Sequence, residues 1–331
     1  MTALLVDSFG RIHDSLRISV TDRCNIRCFY CMPNENIQFL PREELLSFEE
    51  LTRFAQIALQ AGIRKFRLTG GEPLVRRDLP RLVASLRQLP GVEDLALTTN
   101  GVLLAEQVEA LRAAGLMRLN VSLDSLRREV FEQITRRDEL DRVLAGLRRA
   151  VEVGFGQIRI NAVSIRGLTE ADIVPLAEFC RESGHTLRFI EYMPLDADQG
   201  WTESLVLTGA KVRARLEEAF GQLEPSARTD PSQPAVDYRF ADGIGTVGFI
   251  NPVSEPFCGD CNRLRITAEG QLRNCLFSTE EFDVRALLRN GASAAEILEL
   301  LQRCVGAKKA GHGINDPKFI RPQRAMYQIG G

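Results

Sequence analysis

The sequence predicts an α/β fold, an incomplete barrel of six β/α units whose open side is covered by a C-terminal α+β region. Between residue 15 and about 220, short apolar or β-branched runs alternate with longer helical patterns, as in a parallel sheet. Residues with chemistry in them gather where those runs end. Five of the six runs also carry an arginine on the face opposite their apolar residues.

Strands are expected at 15–20, 64–69, 94–98, 117–122, 157–163 and 187–192. Helices are expected after each, near 48–61, 78–89, 104–114, 128–153 with a break, 170–183 and 209–220. Ser47 with Glu50 forms a capping box at the first helix, and Thr169 opens the helix near 170–183. Six units fall short of the closed eight-fold barrel. That leaves a doubly wound open sheet or a barrel with an open side.

Position favours the barrel. CNIRCFYC (24–31) follows the first strand, GGEP (70–73) the second and TTNG (98–101) the third. SLD (122–124) ends the fourth, Asn161 lies near the end of the fifth, and EYM (191–193) ends the sixth. All are carboxyl ends of strands, the active face of such barrels, whereas an open sheet would gather them at its switch point. The arginines agree. Arg17 shares a face with Ser19, Arg67 with Thr69, Arg118 with Asn120 and Ser122, and Arg159 with Asn161, while Arg188 stands between Leu187 and Phe189. Helices require the outer face of a parallel sheet to be apolar, so the arginine face lines a lumen. Several guanidiniums in a lumen call for a polyanion, and their planar fork suits phosphate. The alternative is that some strands are antiparallel and their arginines solvated.

After about 221 the texture changes. Residues 224–237, rich in Pro, Ser and Asp, read as a loop or linker. Strand-like runs follow at 237–240, 244–250, 263–267 and 271–276, with AEGQ (268–271) as a hairpin turn. Helical patterns lie near 280–290 and 294–309, the second opened by the capping box of Ser293 and Glu296. The last residues show little period. The expected division is therefore 1–220 and 221–331. GIGTVG (243–248) fits a dinucleotide fingerprint, but FINP follows it where a helix should, so it reads as turn and strand.

The chain has 331 residues, 44% apolar and 26% charged, with a net charge of -2. That is length enough for a sizeable core, and it gives no reason to expect nucleic acid or an anionic membrane as partner. No apolar run approaches the roughly 18 residues of a membrane span. The start, MTALLVDSFGRIH, lacks the pattern of a signal peptide. A cytoplasmic address is expected, where thiols stay reduced and cysteines serve as metal ligands rather than disulfides.

Six of the eight cysteines form two triplets. Cys24, Cys28 and Cys31 make a C-x3-C-x2-C directly after the first strand, and Cys258, Cys261 and Cys275 a C-x2-C-x13-C. Three thiolates leave one coordination position open, where chemistry can occur. The only histidines, His13, His185 and His312, lack the spacing of a zinc finger, so the first triplet reads as a three-thiolate [4Fe–4S] site. For the second, a zinc ribbon stays open, with Cys180 or Cys304 as fourth ligand, although both also fit as core residues of helices. Arg263 and Arg265, two apart on the adjoining strand, would cradle an anion beside the metal.

CNIRCFYC, with Tyr30 before its last cysteine, and GGEP together resemble the signature of the radical S-adenosylmethionine (SAM) superfamily, so the barrel is expected to be of the radical SAM type. Glycine in GGEP would let the backbone approach a bound methionine moiety. Both triplets, RLR after the second, and the final Gly330-Gly331 more narrowly resemble the GTP 3′,8-cyclases, which open molybdenum cofactor biosynthesis. That likeness runs from Arg17 to the last glycine.

The resemblance implies two [4Fe–4S] clusters and SAM as cofactors. By it, Cys24, Cys28 and Cys31 hold the SAM cluster, and Cys258, Cys261 and Cys275 a second cluster that meets the guanine of the substrate, GTP. Tyr30, Gly71, Ser122 and Met193 would contact SAM. Arg17, Arg67, Thr98, Arg159, Arg263 and Arg265 would contact GTP, mostly its triphosphate. Arg159 stands where the family commonly has lysine, which keeps the charge and changes the geometry. Gly330 and Gly331 would be catalytic, in a tail that enters the active site; without the resemblance a terminal glycine pair reads as a frayed end. The implied reaction begins with reductive cleavage of SAM to a 5′-deoxyadenosyl radical. That radical takes hydrogen from the ribose 3′ carbon of GTP, and the new radical attacks carbon 8. The same resemblance implies an electron donor, leaves room for a homodimer, and hands the product to cyclic pyranopterin monophosphate synthase. Two alternatives stand beside it: another radical SAM enzyme with an auxiliary cluster, and a non-enzymatic zinc-binding module.

Overall fold

The computed structural model describes residues 4–34, 37–195, 200–228 and 230–330, and six β/α units stand where the sequence places them. In chain order they are β1 (Ser15–Ser19), α1 (Phe48–Gln60), β2 (Lys65–Thr69), α2 (Leu79–Gln88), β3 (Asp94–Thr99), α3 (Leu104–Ala113) and β4 (Arg118–Ser122). Two helices, α4 (Arg128–Thr135) and α5 (Leu140–Glu152), occupy the interval whose helical pattern breaks. Then come β5 (Arg159–Ser164), α6 (Ile173–Ser183), β6 (Thr186–Glu191) and α7 (Gly209–Phe220). The remainder holds β7 (Leu223–Pro225), β8 (Val236–Phe240), β9 (Thr246–Ile250), β10 (Arg263–Ile266), β11 (Gln271–Arg273) and β12 (Phe282–Asp283), followed by α8 (Val284–Arg289), α9 (Ala294–Gly306) and α10 (Met326–Ile329).

Strands β1 to β6 pair in sequence order and are parallel throughout, which removes the antiparallel alternative for the arginines. The outer edges of β1 and β6 would leave backbone N–H and C=O groups unpaired. The C-terminal strands satisfy them, β10 running parallel beside β1 and β9 parallel beside β6. Antiparallel arms continue outward, so the order is β12-β11-β10-β1-β2-β3-β4-β5-β6-β9-β8-β7 in one open sheet. The incomplete barrel is thus widened from both edges by the region after residue 220.

Alternation then separates core from lumen. Leu16, Ile18, Phe66, Leu68, Leu95 and Leu97 are fully buried on the helix-covered face, where Leu51, Phe54 and Ala55 of α1 also pack. Both capping boxes form. The Ser47 hydroxyl accepts from the Glu50 N–H at 3.1 Å and the Glu50 carboxylate accepts from the Ser47 N–H at 2.7 Å; Ser293 and Glu296 repeat the pattern. Each stabilises its helix by about 1 kcal/mol. Thr169 does not cap. It precedes a single 3-10 turn, α6 starts only at Ile173, and the Thr169 hydroxyl instead accepts from the Ile165 N–H at 2.9 Å. GIGTVG is the turn between the antiparallel β8 and β9 and runs into β9. Among the described residues no helix is long and apolar enough to cross a membrane.

Candidate active site

The lumen is a cavity of about 540 Å³. All six triplet cysteines line it, as do Tyr30, Gly71, Ser122 and Met193, and Arg17, Arg67, Thr98, Arg159, Arg263 and Arg265. Strand register explains the arginine cluster. Arg17 stands level with Arg67 on one side and Arg265 on the other, so three guanidiniums form a row across β10, β1 and β2. Arg118 and Arg188 also line the cavity, but each has a carboxylate. Arg118 donates to Asp94, one bond being 2.6 Å, and Arg188 lies 3.3 Å from Asp237. Among the described residues no carboxylate pairs with Arg17, Arg67, Arg159, Arg263 or Arg265. Arg67 donates to the Thr98 hydroxyl at 3.2 Å. Burial, and then repulsion from neighbouring arginines, lowers the proton affinity of Arg17, Arg67 and Arg265. Unpaired cations crowded into a desolvated space favour an anionic ligand.

The first triplet follows β1, and GGEP locks it in place. The Gly71 N–H donates to the Thr21 carbonyl at 2.7 Å and the Glu72 N–H to the Arg23 carbonyl at 2.8 Å. A methyl group on Gly71 would stand 2.5 Å from the Arg23 carbonyl oxygen. The close approach that demands glycine is therefore to the protein's own backbone, at the threshold of Cys24. Glu72 is buried and accepts from the Leu74 N–H, the Thr99 hydroxyl and the Asn100 N–H at 3.0, 2.7 and 2.6 Å. The Asn100 amide nitrogen lies 3.7 Å from Cys24 Sγ. The Tyr30 hydroxyl donates to Asp124 at 2.7 Å, and Asp124 also accepts from the Val163 N–H at 2.8 Å. Burial pushes the Cys24 thiol up to about 11 and raises Cys28 and Cys31 as well. These thiols are stabilised as thiolates only by a cationic centre.

The second triplet has its own cations. Burial would raise the Cys261 thiol, but Arg263 and Lys308, with hydrogen bonds to the sulfur, bring it down to about 6. Arg263 and Lys308 approach Cys261 Sγ at 3.3 and 3.4 Å, and Lys308 also donates to the Arg263 carbonyl at 2.9 Å. Cys180 and Cys304 lie in the apolar core, away from the cavity, so neither supplies a fourth zinc ligand. All eight cysteines are unbridged. Among the described residues no three His, Cys, Asp or Glu side chains converge on a single ion. Within each triplet the thiols are close enough to interact, Cys28 with Cys24 and Cys31, and Cys258 with Cys261 and Cys275, and all six face one cavity, as ligands to different irons of a cluster would. The donor sets fit two three-thiolate clusters.

The tail reaches this cavity. The Arg265 guanidinium donates to the Gly330 carbonyl at 2.6 Å. Gly330 has φ +79°, and a methyl group there would meet the Thr69 hydroxyl at 2.6 Å and the Ser19 side chain at 3.0 Å. The residue is wedged between the carboxyl ends of β1 and β2. Gly331 lies outside the described residues.

The sequence does not single out Asn100, Lys308 or Glu72, and it leaves Asp124 of SLD undecided between a catalytic role and a structural one at a strand end. Asn100 and Glu72 sit inside the noted TTNG and GGEP motifs, a usable signal. Lys308 ends a helical pattern with nothing to mark it.

Residues 18–180 match the Radical SAM superfamily and residues 185–314 match Molybdenum Cofactor Synthesis C. The GTP 3′,8-cyclase of Rhodopirellula baltica is 52% identical over 330 residues, covering 99% of this chain and 92% of the relative. This chain belongs to the GTP 3′,8-cyclase family. A further member of that family, from Paenarthrobacter nicotinovorans, is 45% identical and covers 99% of this chain and 97% of its own length. Among solved structures, Streptococcus suis SuiB bound to S-adenosylmethionine superposes with a TM-score of 0.64 at 17% identity, over 96% of this chain and 77% of that one. At that identity the likeness is one of fold, the open radical SAM sheet.

Proposed function

We propose that this chain cyclises GTP to 3′,8-cyclo-7,8-dihydro-GTP, the first step of molybdenum cofactor biosynthesis. The observation that carries this reading is the unpaired arginine row of Arg265, Arg17 and Arg67 between two cysteine triplets in one cavity. In this reading Cys24, Cys28 and Cys31 hold one [4Fe–4S] cluster, Cys258, Cys261 and Cys275 hold the other, and the domains divide at about residue 220. When bound, the clusters and SAM supply reductive carbon–sulfur cleavage and a metal face for the base.

The protein's own part is placement. Arg17, Arg67, Arg159, Arg263 and Arg265 bind the triphosphate, with Thr98 held by Arg67. Fixing that end orients the ribose 3′ carbon and guanine carbon 8 for intramolecular closure. Tyr30, anchored by Asp124, and Gly71, Ser122 and Met193 form the SAM side. Gly330 completes the wall beside Arg265 and helps keep water from a reactive intermediate, and the Gly330-Gly331 pair is read as catalytic. An external electron donor feeds the site, and cyclic pyranopterin monophosphate synthase takes the product.

The test is anaerobic incubation of reconstituted protein with SAM, a strong reductant and GTP, followed by mass analysis of the nucleotide. The expected product has the mass of GTP, is formed with 5′-deoxyadenosine, and is separable from GTP by chromatography. Cleavage of SAM with GTP returned unchanged would favour the other reading, a different radical SAM enzyme with an auxiliary cluster.

A further inference from the structure

We infer that Arg11 is a positioning residue for the second cysteine triplet, fastening the turn that carries Cys258 to the segment around residue 309. Arg11 is buried, 8% exposed, and does not itself line the cavity that the function uses. Its Nε donates to Asp7 at 2.6 Å. One Nη donates to the Cys258 carbonyl at 2.7 Å and the Ala310 carbonyl at 3.0 Å, and the other to the Lys309 carbonyl at 2.7 Å. One guanidinium therefore joins three segments that are distant in sequence.

Asp7 orients it. The carboxylate also accepts from the Phe9 and Arg11 N–H groups at 2.9 and 3.1 Å and faces His13 Nε2 at 3.0 Å. The segment that Arg11 grips reaches the triplet through Lys308, 3.4 Å from Cys261 Sγ, and runs beside Cys258 at Gly311, where an added methyl group would stand 3.9 Å from the Cys258 side chain. Removing the fork would strip three main-chain carbonyls of their shared donor, and buried acceptors left without partners loosen the structure that exposes them. Lysine would keep the charge but lacks the planar fork that reaches three acceptors and Asp7 together. Loss of Arg11 thus frees Cys258 from the 308–311 segment while leaving the first triplet, 24–31, on its own supports.

The inference rests on reading Cys258, Cys261 and Cys275 as cluster ligands, and the experiment separates the two claims. Wild type, Arg11→Met, Arg11→Lys and Cys275→Ala are reconstituted anaerobically. Iron and sulfide per chain, the electron paramagnetic resonance of the reduced protein, and SAM cleavage are measured. Wild type should hold about eight irons, and both Arg11 variants should fall toward the about four of Cys275→Ala, since each [4Fe–4S] cluster carries four. Formation of 5′-deoxyadenosine should persist in all. Arg11→Met with a full iron complement and an unchanged spectrum overturns the inference. So does loss of both clusters together with SAM cleavage in both Arg11 variants, which would make Arg11 a general folding residue. If Cys275→Ala itself keeps about eight irons, the cluster assignment fails and the inference falls with it.

Discussion

Arginine on a strand acquires meaning from what it is paired with. Arg118 and Arg188 have Asp94 and Asp237, whereas Arg17, Arg67 and Arg265 face one another. Two-residue alternation was enough to place the strand arginines on one face. It could not separate matched from unmatched ones, because Asp237 follows Arg188 by 49 residues and meets it only across the sheet. Asp124 is the second residue that sequence left undecided, and its buried bond to Tyr30 gives it a measurable signature. Burial, outweighing the bonds from Val163 and Tyr30, raises its carboxyl from 3.8 to about 6. The folded state therefore holds this proton more tightly than the unfolded chain. Its contribution to stability is fully present below the unfolded value and is lost as pH rises through about 6. Asp124→Asn removes that loss, so the variant's Tm should gain on wild type as pH rises from about 4 to about 7. A Tm difference that stays flat across this window would show that Asp124 is not held protonated.

At the scale of elements, what could be read was what repeats. The six strands and the helices between them carry period-two and period-3.6 signals, and they appear within two residues of their expected bounds, save α6, which starts three residues late at Ile173 after a 3-10 turn. Elements without room for a period were missed. Helix α10 has four residues, too few to nucleate alone. It is held from outside, by Arg324 bonded to Glu269 and, at 2.7 and 2.8 Å, to Glu281. That clamp delivers Gly330 to Arg265. Gly330→Ala should strain the left-handed backbone and drive a methyl group toward Thr69. We expect product formation to fall on the order of 100-fold, as misplacement in a site can cost, with iron content and 5′-deoxyadenosine formation retained. Undiminished cyclisation by this variant would return the glycine to the role of a chain end. Thr169 failed as a cap because its hydroxyl met a nearer N–H, that of Ile165, in the turn before the helix.

Across the whole molecule, residues more than two hundred positions apart complete one chamber. β10 docks beside β1 and carries Arg263 and Arg265, with Cys261 just before it, to the cavity that Cys24, Cys28 and Cys31 line. The two triplets should then fail differently. Cys24→Ala should abolish 5′-deoxyadenosine formation, while Cys261→Ala should spare some SAM cleavage and stop cyclisation. Assay of both products in both variants checks this, and cyclised nucleotide from Cys261→Ala would refute the role of the second triplet.

The sequence by itself determined the repeating β/α unit, the facing of the arginines, the two triplets and the glycines, because periodicity, thiol spacing and family motifs are local or linear properties. Tertiary structure alone decided which strands cover the sheet edges, which arginines keep a carboxylate, where Cys180 and Cys304 are buried, and how Arg11, Lys308 and Arg324 tie distant segments to the site. Those outcomes depend on contacts between residues far apart in the chain. Burial and hydrogen-bond partners become defined only when the sheet brings those residues together.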